Sequence, residues 1–109
     1  MHDMESLNKI EIRGTVGQVR FATVGEKKHA NFSVMTEHAY KNREGEACCD
    51  VMWWSVSATE GPKNGIDNLE KGCVAHVLGR VRMRVYDNAD GSTRSFPEVV
   101  ASEVRVEQL

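Results

Sequence analysis

Cationic and apolar side chains alternate over eight residues, in the segment GRVRMRVY at positions 79–86. A β-strand points successive side chains to opposite faces of its sheet. One face of such a strand would carry three cations and an aromatic ring: Arg80, Arg82, Arg84 and Tyr86. The other face would carry apolar side chains that can pack on a core: Val81, Met83 and Val85. Phosphates attract guanidinium groups, and unstacked bases stack on aromatic rings. The segment therefore favours contact with a single-stranded nucleic acid.

The same row of charges has a plainer interpretation. Charged side chains also keep a strand face in water and prevent strands of different molecules from pairing at their edges. Within this row, however, no acidic residue alternates with the arginines, and a ring follows them. These two features favour the binding hypothesis over simple solvation.

Composition limits the class of protein. The chain has 109 residues, 40% of them hydrophobic and 28% charged, which is typical of one globular domain spanning residues 1–109. The formal net charge is -2, whereas nucleic-acid binders are often basic. Binding depends on local fields rather than on the total, so the negative balance does not exclude it.

The cysteines and the ends of the chain bear on location. Three cysteines, Cys48, Cys49 and Cys73, form no CxxC pair, and the polar residues 1–7 lack an apolar signal core. An odd cysteine count is typical of a reducing compartment. We therefore predict a cytoplasmic protein with a flexible N-terminus at residues 1–7, no membrane segment and no zinc site.

The order of predicted elements indicates the fold. Alternation and turn signals predict strands over 8–19, 29–40, 47–58, 73–86 and 93–107. Residues 60–70 have a Gly-Pro turn followed by apolar residues three apart, which fits one short helix. Five strands with a helix between the third and fourth is the order of the OB-fold, an all-β barrel that binds oligonucleotides.

The third strand carries two adjacent tryptophans on opposite faces. One row consists of apolar residues and predicts the core side: Met52, Trp54, Val56 and Ala58. The other row places serines around a ring and predicts an open side: Val51, Trp53, Ser55 and Ser57. We therefore assign Trp53 to the ligand face, although a register shift of one residue would exchange the two rings.

Other residues extend the predicted site. Tyr40 shares its parity with Phe32 and Val34, so alternation alone places it on the core side. Several further basic residues could contact phosphates, and plain surface is the alternative for each: Lys9, Arg13, Arg20, Lys27 and Lys28. Of these, Lys9 and Arg13 are included in the predicted site.

Signs of catalysis are weak. The four histidines are scattered, and the chain contains no phosphate-binding glycine loop and no HExxH or HxE…PCxxC arrangement. We therefore predict no enzyme activity, no catalytic residue, no cofactor and no metal.

Taken together, several segments resemble the bacterial single-stranded DNA-binding protein family. They are NKIEIRGTVG at 8–17, ANFSVMT at 30–36, LEKGCV at 69–74 and GRVRMRVY at 79–86. The resemblance spans about residues 7–107. It implies an OB-fold that binds single-stranded DNA with little sequence preference in replication, recombination or repair, usually as a homotetramer.

The resemblance also implies roles for individual residues. The family's stacking aromatics fall on Tyr40 and Tyr86, and its basic fourth-strand positions fall on Arg82 and Arg84. Its third-strand aromatics fall on Val51 and Ser57, so Trp53 is our own candidate for a substitute ring.

One departure and several alternatives remain. The chain stops at Leu109, so we expect neither an acidic C-terminal tail nor the recruitment of replication proteins through one. A primosomal or assembly subunit with weak nucleic-acid affinity and an RNA-binding OB protein are the alternative functions. We expect a dimer or tetramer, with outward-facing Met35, Val99 and Ala101 available for its interface.

Overall fold

The computed structural model describes residues 5–107, which form an all-β domain as predicted. Its elements are β1 (Ile10–Val24), β2 (Lys27–Lys41), β3 (Ala47–Thr59), a 3-10 turn (Ile66–Asn68), β4 (Val74–Asp87) and β5 (Thr93–Glu107). Residues 1–4 of the predicted flexible N-terminus and Leu109 lie outside the described range. In that range, no helix has the length and apolar character needed to cross a bilayer.

The five strands close into a barrel in the order β1-β2-β3-β5-β4. All neighbouring pairs are antiparallel except β3 and β5, which are parallel and meet only at Val56↔Val99 and Ser57↔Val100. The predicted fold class and the predicted succession of five strands along the chain are therefore confirmed, and a short pairing of β3 with β5 closes the barrel.

Strand β1 bends so that it belongs to both sides of the barrel. Residues 10–15 pair with β4, and the rest of the strand, from Thr15 onward, pairs with β2. Gly14 lies at this bend, where an added Cβ would overlap the carbonyl oxygen of Met35. A bulge follows between Val16 and Val19. The bend and bulge agree with the role that glycine commonly has at barrel corners.

The core is built from the inward rows of the strands and from the segment before β4. Its buried members include Val16, Phe32, Val34, Val56, Val77, Val99 and Val104. Ile66 and Leu69 are 1% and 5% exposed and belong to the same cluster. These two residues bury apolar surface as the predicted helix would have done.

The predicted helix itself is reduced to one turn. Residues just before it form an extended contact with β5, in which Gly65 N–H donates to the Val104 carbonyl and Val104 N–H donates to Lys63. Gly72, with φ of 93°, ends the segment soon after it. Too few residues remain between these constraints for a longer helix.

Two hairpins extend past the barrel as two-stranded ribbons. One joins β2 to β3 and the other joins β4 to β5, and within residues 5–107 the outer parts of these ribbons pair with no third strand. Met52, Met83 and Val85 are 48%, 59% and 63% exposed, so the prediction that these residues face a core is wrong. Alternation correctly places these side chains on the face that continues the inward row of their strand. The core ends before the ribbons, so this face is exposed there.

The predicted outward positions on β5 need a similar correction. Val99 is buried and Ala101 packs against the core. The register of β4 with β5 shifts between Leu78 and Gly79, leaving one extra residue on β5. Val99 and Val104 therefore both face inward despite their opposite parity.

Candidate nucleic-acid interface

A groove runs across the outside of the barrel, over β2 and β3. Its floor consists of small polar side chains: Asn31, Ser33, Ser55 and Ser57. They lie in register as the cross-strand pairs Asn31↔Ser57 and Ser33↔Ser55. We call this surface, together with the arginines on its walls (Arg20, Arg82 and Arg84), the outer groove. Its floor offers hydroxyl and amide groups and leaves room above the backbone for a ligand.

Cations line both sides of the outer groove. Arg20 reaches it from β1, whereas Arg82 and Arg84 reach it from β4, near His29 and Thr59 of the neighbouring strands. The alternation that predicted an outward arginine row is thus confirmed for Arg82 and Arg84. Arg20 had no pattern around it that separated it from ordinary surface residues.

The arginine row meets a carboxylate that the sequence did not reveal. Glu98 of β5 lies opposite Arg82 in register, and only 3% of it is exposed. Its carboxylate accepts hydrogen bonds from Arg82 at 2.9 and 3.1 Å and from Arg84 at 3.4 and 3.5 Å. The cross-strand register of β4 and β5 was the missing information, since the two residues are 16 positions apart.

Tyr86 and Arg80 occupy the two ends of the same row. The Tyr86 ring is 41% exposed, lies 5.5 Å from the Phe96 ring and is covered in part by the Arg84 guanidinium at 5.2 Å. Arg80 is exposed beside Asn8 and Ser102. Among residues 5–107 its side chain has no ion pair, so its charge is available to a ligand.

Trp53 lies beside the outer groove, as assigned. Trp53 is 55% exposed. Its ring covers Gly17, where an added Cβ would lie 2.6 Å from ring atom Cζ3. The same Cβ would lie 2.7 Å from Ser33 Oγ, a groove-floor atom that accepts a hydrogen bond from Gln18 N–H at 3.0 Å. Glycine at position 17 therefore provides the space in which the ring lies against the barrel.

Trp54 has the opposite environment. It packs against the core, and its Nε1 donates to Thr36 Oγ1 at 2.9 Å. A tryptophan N–H that leaves water normally has such a partner. The predicted orientations, with Trp53 outward and Trp54 inward, are therefore confirmed, and contact of Trp53 with a ligand stays a prediction.

Tyr40 is exposed but does not join the outer groove. It lies on the β2–β3 ribbon, where its ring stacks on His38 with centroids 6.3 Å apart. Its cross-strand partner is Cys48, whereas the partner of Trp53 is Met35. By this register Tyr40 and Trp53 point to opposite faces of the ribbon. The parity argument gave the face correctly, and the end of the core again explains the exposure.

The two other predicted phosphate contacts differ from each other. Lys9 is exposed just before β1, and its side chain has no polar partner in the described part of the chain. Arg13 is already engaged, because its Nε donates to both carboxylate oxygens of Glu107 at 3.0 Å. These hydrogen bonds lower the pKa of Glu107 and raise the pKa of Arg13.

No constellation for metal chemistry accompanies the groove. Between residues 5 and 107, no three His, Cys, Asp or Glu side chains lie close enough to share a metal ion. The arrangement offers cations, exposed rings and small polar groups, which suit an extended anionic ligand with stacking bases.

Comparisons with known proteins agree with this geometry. A family model described as "Single-strand binding protein family" matches residues 7–107. A "Single-stranded DNA-binding protein" of Neisseria meningitidis serogroup A is 30% identical over 105 residues, covering 93% of this chain and 60% of that protein. "Single-stranded DNA-binding protein 1" of Clostridium acetobutylicum is 28% identical and covers 91% of this chain and 92% of its own length. The chain thus spans about 60% of the Neisseria relative.

Solved structures show the same fold. A structure titled "Plasmodium falciparum SSB complex with ssDNA" superposes with a TM-score of 0.84 at 22% identity, over 98% of this chain and 100% of that one. A deletion mutant of the single-stranded DNA binding protein from Thermus aquaticus gives a TM-score of 0.75 at 23% identity, over 94% of this chain and 51% of that one.

Proposed function

The chain belongs to the single-strand binding protein family, and from this premise we propose that it binds single-stranded DNA without sequence preference along the outer groove. The observation that carries the proposal is the joint presence of Arg82 and Arg84 on one wall, Arg20 on the other, and exposed rings at Trp53 and Tyr86. Strands 2 and 3 of OB-folds commonly form such a surface.

The chemistry of binding follows from the groups present. Guanidinium groups attract the phosphates, which displaces counterions and makes binding sensitive to salt. Bases that leave the stack can rest on the Trp53 and Tyr86 rings, at roughly 1–3 kcal/mol for each base. The serine and asparagine floor is small enough to accept any base, so this grouping supports binding without sequence preference.

The same premise bears on activity and location. Proteins of this family are non-enzymatic, and we propose the same for this chain. Because its three cysteines are free, we also propose a cytoplasmic location. Roles in replication, recombination or repair follow from the ligand.

We further propose that the chain forms a homo-oligomer, a dimer or tetramer. The exposed apolar row of the β4–β5 ribbon, which includes Met83 and Val85, supports this proposal because single domains seldom leave such a row uncovered. Light scattering at two concentrations would measure the mass, and a monomer at both would contradict the proposal.

A titration tests the proposed function. Oligo-dT, oligo-rU and a duplex of equal length are titrated into the protein at two salt concentrations. We expect tight, salt-dependent binding of oligo-dT and much weaker binding of the duplex. Duplex binding as tight as that of oligo-dT, or no binding of oligo-dT at low salt, would contradict the proposal, and a preference for oligo-rU would favour an RNA-binding protein.

A further inference from the structure

A carboxylate is buried directly beneath two arginines of the outer groove. Glu98 is the one charged residue that is buried in the part of the chain that the structure describes. Removing a carboxylate from water is costly unless cations and hydrogen-bond donors surround it. Arg82 and Arg84 provide both, so these three side chains form one unit.

The geometry of that unit leaves part of each guanidinium free. Arg82 uses Nε and Nη2 to bind Glu98, and Arg84 uses only Nη1. The side chains of Arg82 and Arg84 remain 42% and 36% exposed, against 4% for Glu98. Arg82 Nη1 and Arg84 Nη2 donate no hydrogen bond to any residue within 5–107. Each arginine thus has one edge on the carboxylate and another that a phosphate can reach.

We infer that Glu98 is a positioning residue for DNA binding, which fixes both guanidiniums toward the outer groove and reduces their joint charge to that of a single cation. This inference rests on the proposed function. A guanidinium already held in place loses less side-chain freedom when a phosphate binds. The carboxylate also opposes the phosphates, so it weakens the salt-dependent part of binding.

The unit also reaches the stacking ring. The Arg84 guanidinium lies 5.2 Å from the Tyr86 ring centroid, and Tyr86 in turn lies 5.5 Å from Phe96. Glu98 therefore holds a cation that contacts an exposed ring. One buried carboxylate orders a phosphate contact and a base contact together.

Glu98→Gln tests the charge part of this inference. Oligo-dT affinity is measured at four salt concentrations for the wild-type chain, for Glu98→Gln and for a control, Glu103→Gln. Glu103 pairs with Arg105 at 2.8 Å, so the control makes the same change in net charge at a different ion pair. Thermal melting verifies that each variant is folded.

The expected result is a change in slope for one variant only. Glu98→Gln should bind more tightly at low salt, and its plot of log affinity against log salt should steepen by about 0.7, the value for one more phosphate contact on a single strand. Glu103→Gln should follow the wild-type slope. Equal slopes for all three chains would overturn the inference, as would equal steepening of both variants.

Glu98→Asp tests whether Glu98 fixes the positions of the two guanidiniums. It also provides a test of the inference if Glu98→Gln does not fold. The shorter side chain keeps the charge but cannot reach both guanidiniums, so the slope should stay unchanged while affinity falls about three- to tenfold. Wild-type affinity in Glu98→Asp would overturn the inference and leave the proposed function standing. A wild-type chain that fails to bind oligo-dT would overturn both.

Discussion

Adjacent side chains of β3 have opposite environments, and this contrast determines which ring can meet a ligand. Trp53 lies over Gly17 with more than half of its surface exposed, whereas Trp54 packs on the core and donates to Thr36. A base stacked on Trp53 would change the emission of that ring alone. The pair therefore offers a built-in optical reporter.

Trp53→Phe should abolish most of the quenching that oligo-dT causes in tryptophan emission. The remaining Trp54 cannot stack on a base from its position, whereas phenylalanine keeps a ring for the DNA, so affinity should fall only a few-fold. The measurement is a fluorescence titration followed by an independent binding assay. Trp54→Phe is the matched control, and full quenching in Trp53→Phe would contradict the assignment.

The face that a single side chain takes was predictable where alternation sufficed, whereas its partners were not predictable where a residue distant in sequence supplies them. Arg82, Arg84 and Trp53 follow from parity along one strand. Glu98 could not be found in this way, because its contact with Arg82 depends on the pairing of two strands. The engagement of Arg13 by Glu107 was hidden for the same reason.

At the scale of elements, the barrel depends on close contacts where β1 bends. An added Cβ at Gly14 would overlap backbone atoms of Met35, which cannot move without disturbing the β1–β2 pairing. At Gly61 no atom lies within 4 Å of the corresponding Cβ. These two glycines therefore form a matched pair for testing the bend.

Gly14→Ala should reduce the free energy of unfolding by roughly 1–3 kcal/mol, the usual range for overpacking. Gly61→Ala should change it by less than about 0.5 kcal/mol. Urea unfolding followed by tryptophan emission measures both values. Equal stability of the two variants would show that β1 does not approach β2 as closely as the structure has it.

An ion pair between Arg13 and Glu107 joins β1 to β5 across the intervening strand β4. Hydrogen bonds from Arg13 lower the pKa of Glu107 below its ordinary value of 4.5. A carboxylate whose pKa is lowered by folding stabilises the native state above its unfolded pKa. That contribution is lost as the pH falls through the folded value.

Glu107→Gln should therefore melt at a lower temperature than the wild-type chain at pH 7. The difference should begin to shrink at about pH 4.5, where the unfolded wild-type chain takes up a proton at Glu107, and should vanish once the pH is also below the lowered pKa of the native carboxylate. Thermal melts at several pH values between 7 and 3 measure it. A difference that stays constant over this range would exclude the ion pair as its cause.

Element order was predictable from turn signals and alternation, and the limits of the core were not. Periodicity reports which face a residue takes, but it does not say whether a second sheet lies opposite. Alternation predicts a core position for Met83 and Val85, because nothing in their local sequence marks the β4–β5 ribbon as extending beyond the barrel. The predicted helix is shorter for a similar reason. Backbone hydrogen bonds of Lys63 and Gly65 with Val104 of β5 hold in extended form the residues that would begin it.

For the whole molecule, a negative total charge coexists with a cationic groove. The net charge is -2, yet the outer groove gathers Arg20, Arg82 and Arg84 around a floor with no charge. Other arginines are paired away from the outer groove, among them Arg13 with Glu107 and Arg105 with Glu103. The distribution of charge, and not its sum, is thus expected to determine binding.

The most direct test of this account removes two arginines at each of two places. Salt-dependent titration with oligo-dT is performed on Arg82→Ala/Arg84→Ala and on Arg13→Ala/Arg105→Ala, which lower the net charge equally. We expect the first variant to lose affinity for all sequences and its salt slope to flatten by roughly 0.7 for each lost contact, while the second stays near wild type. Equal losses in both variants, or unchanged binding by the first, would contradict it.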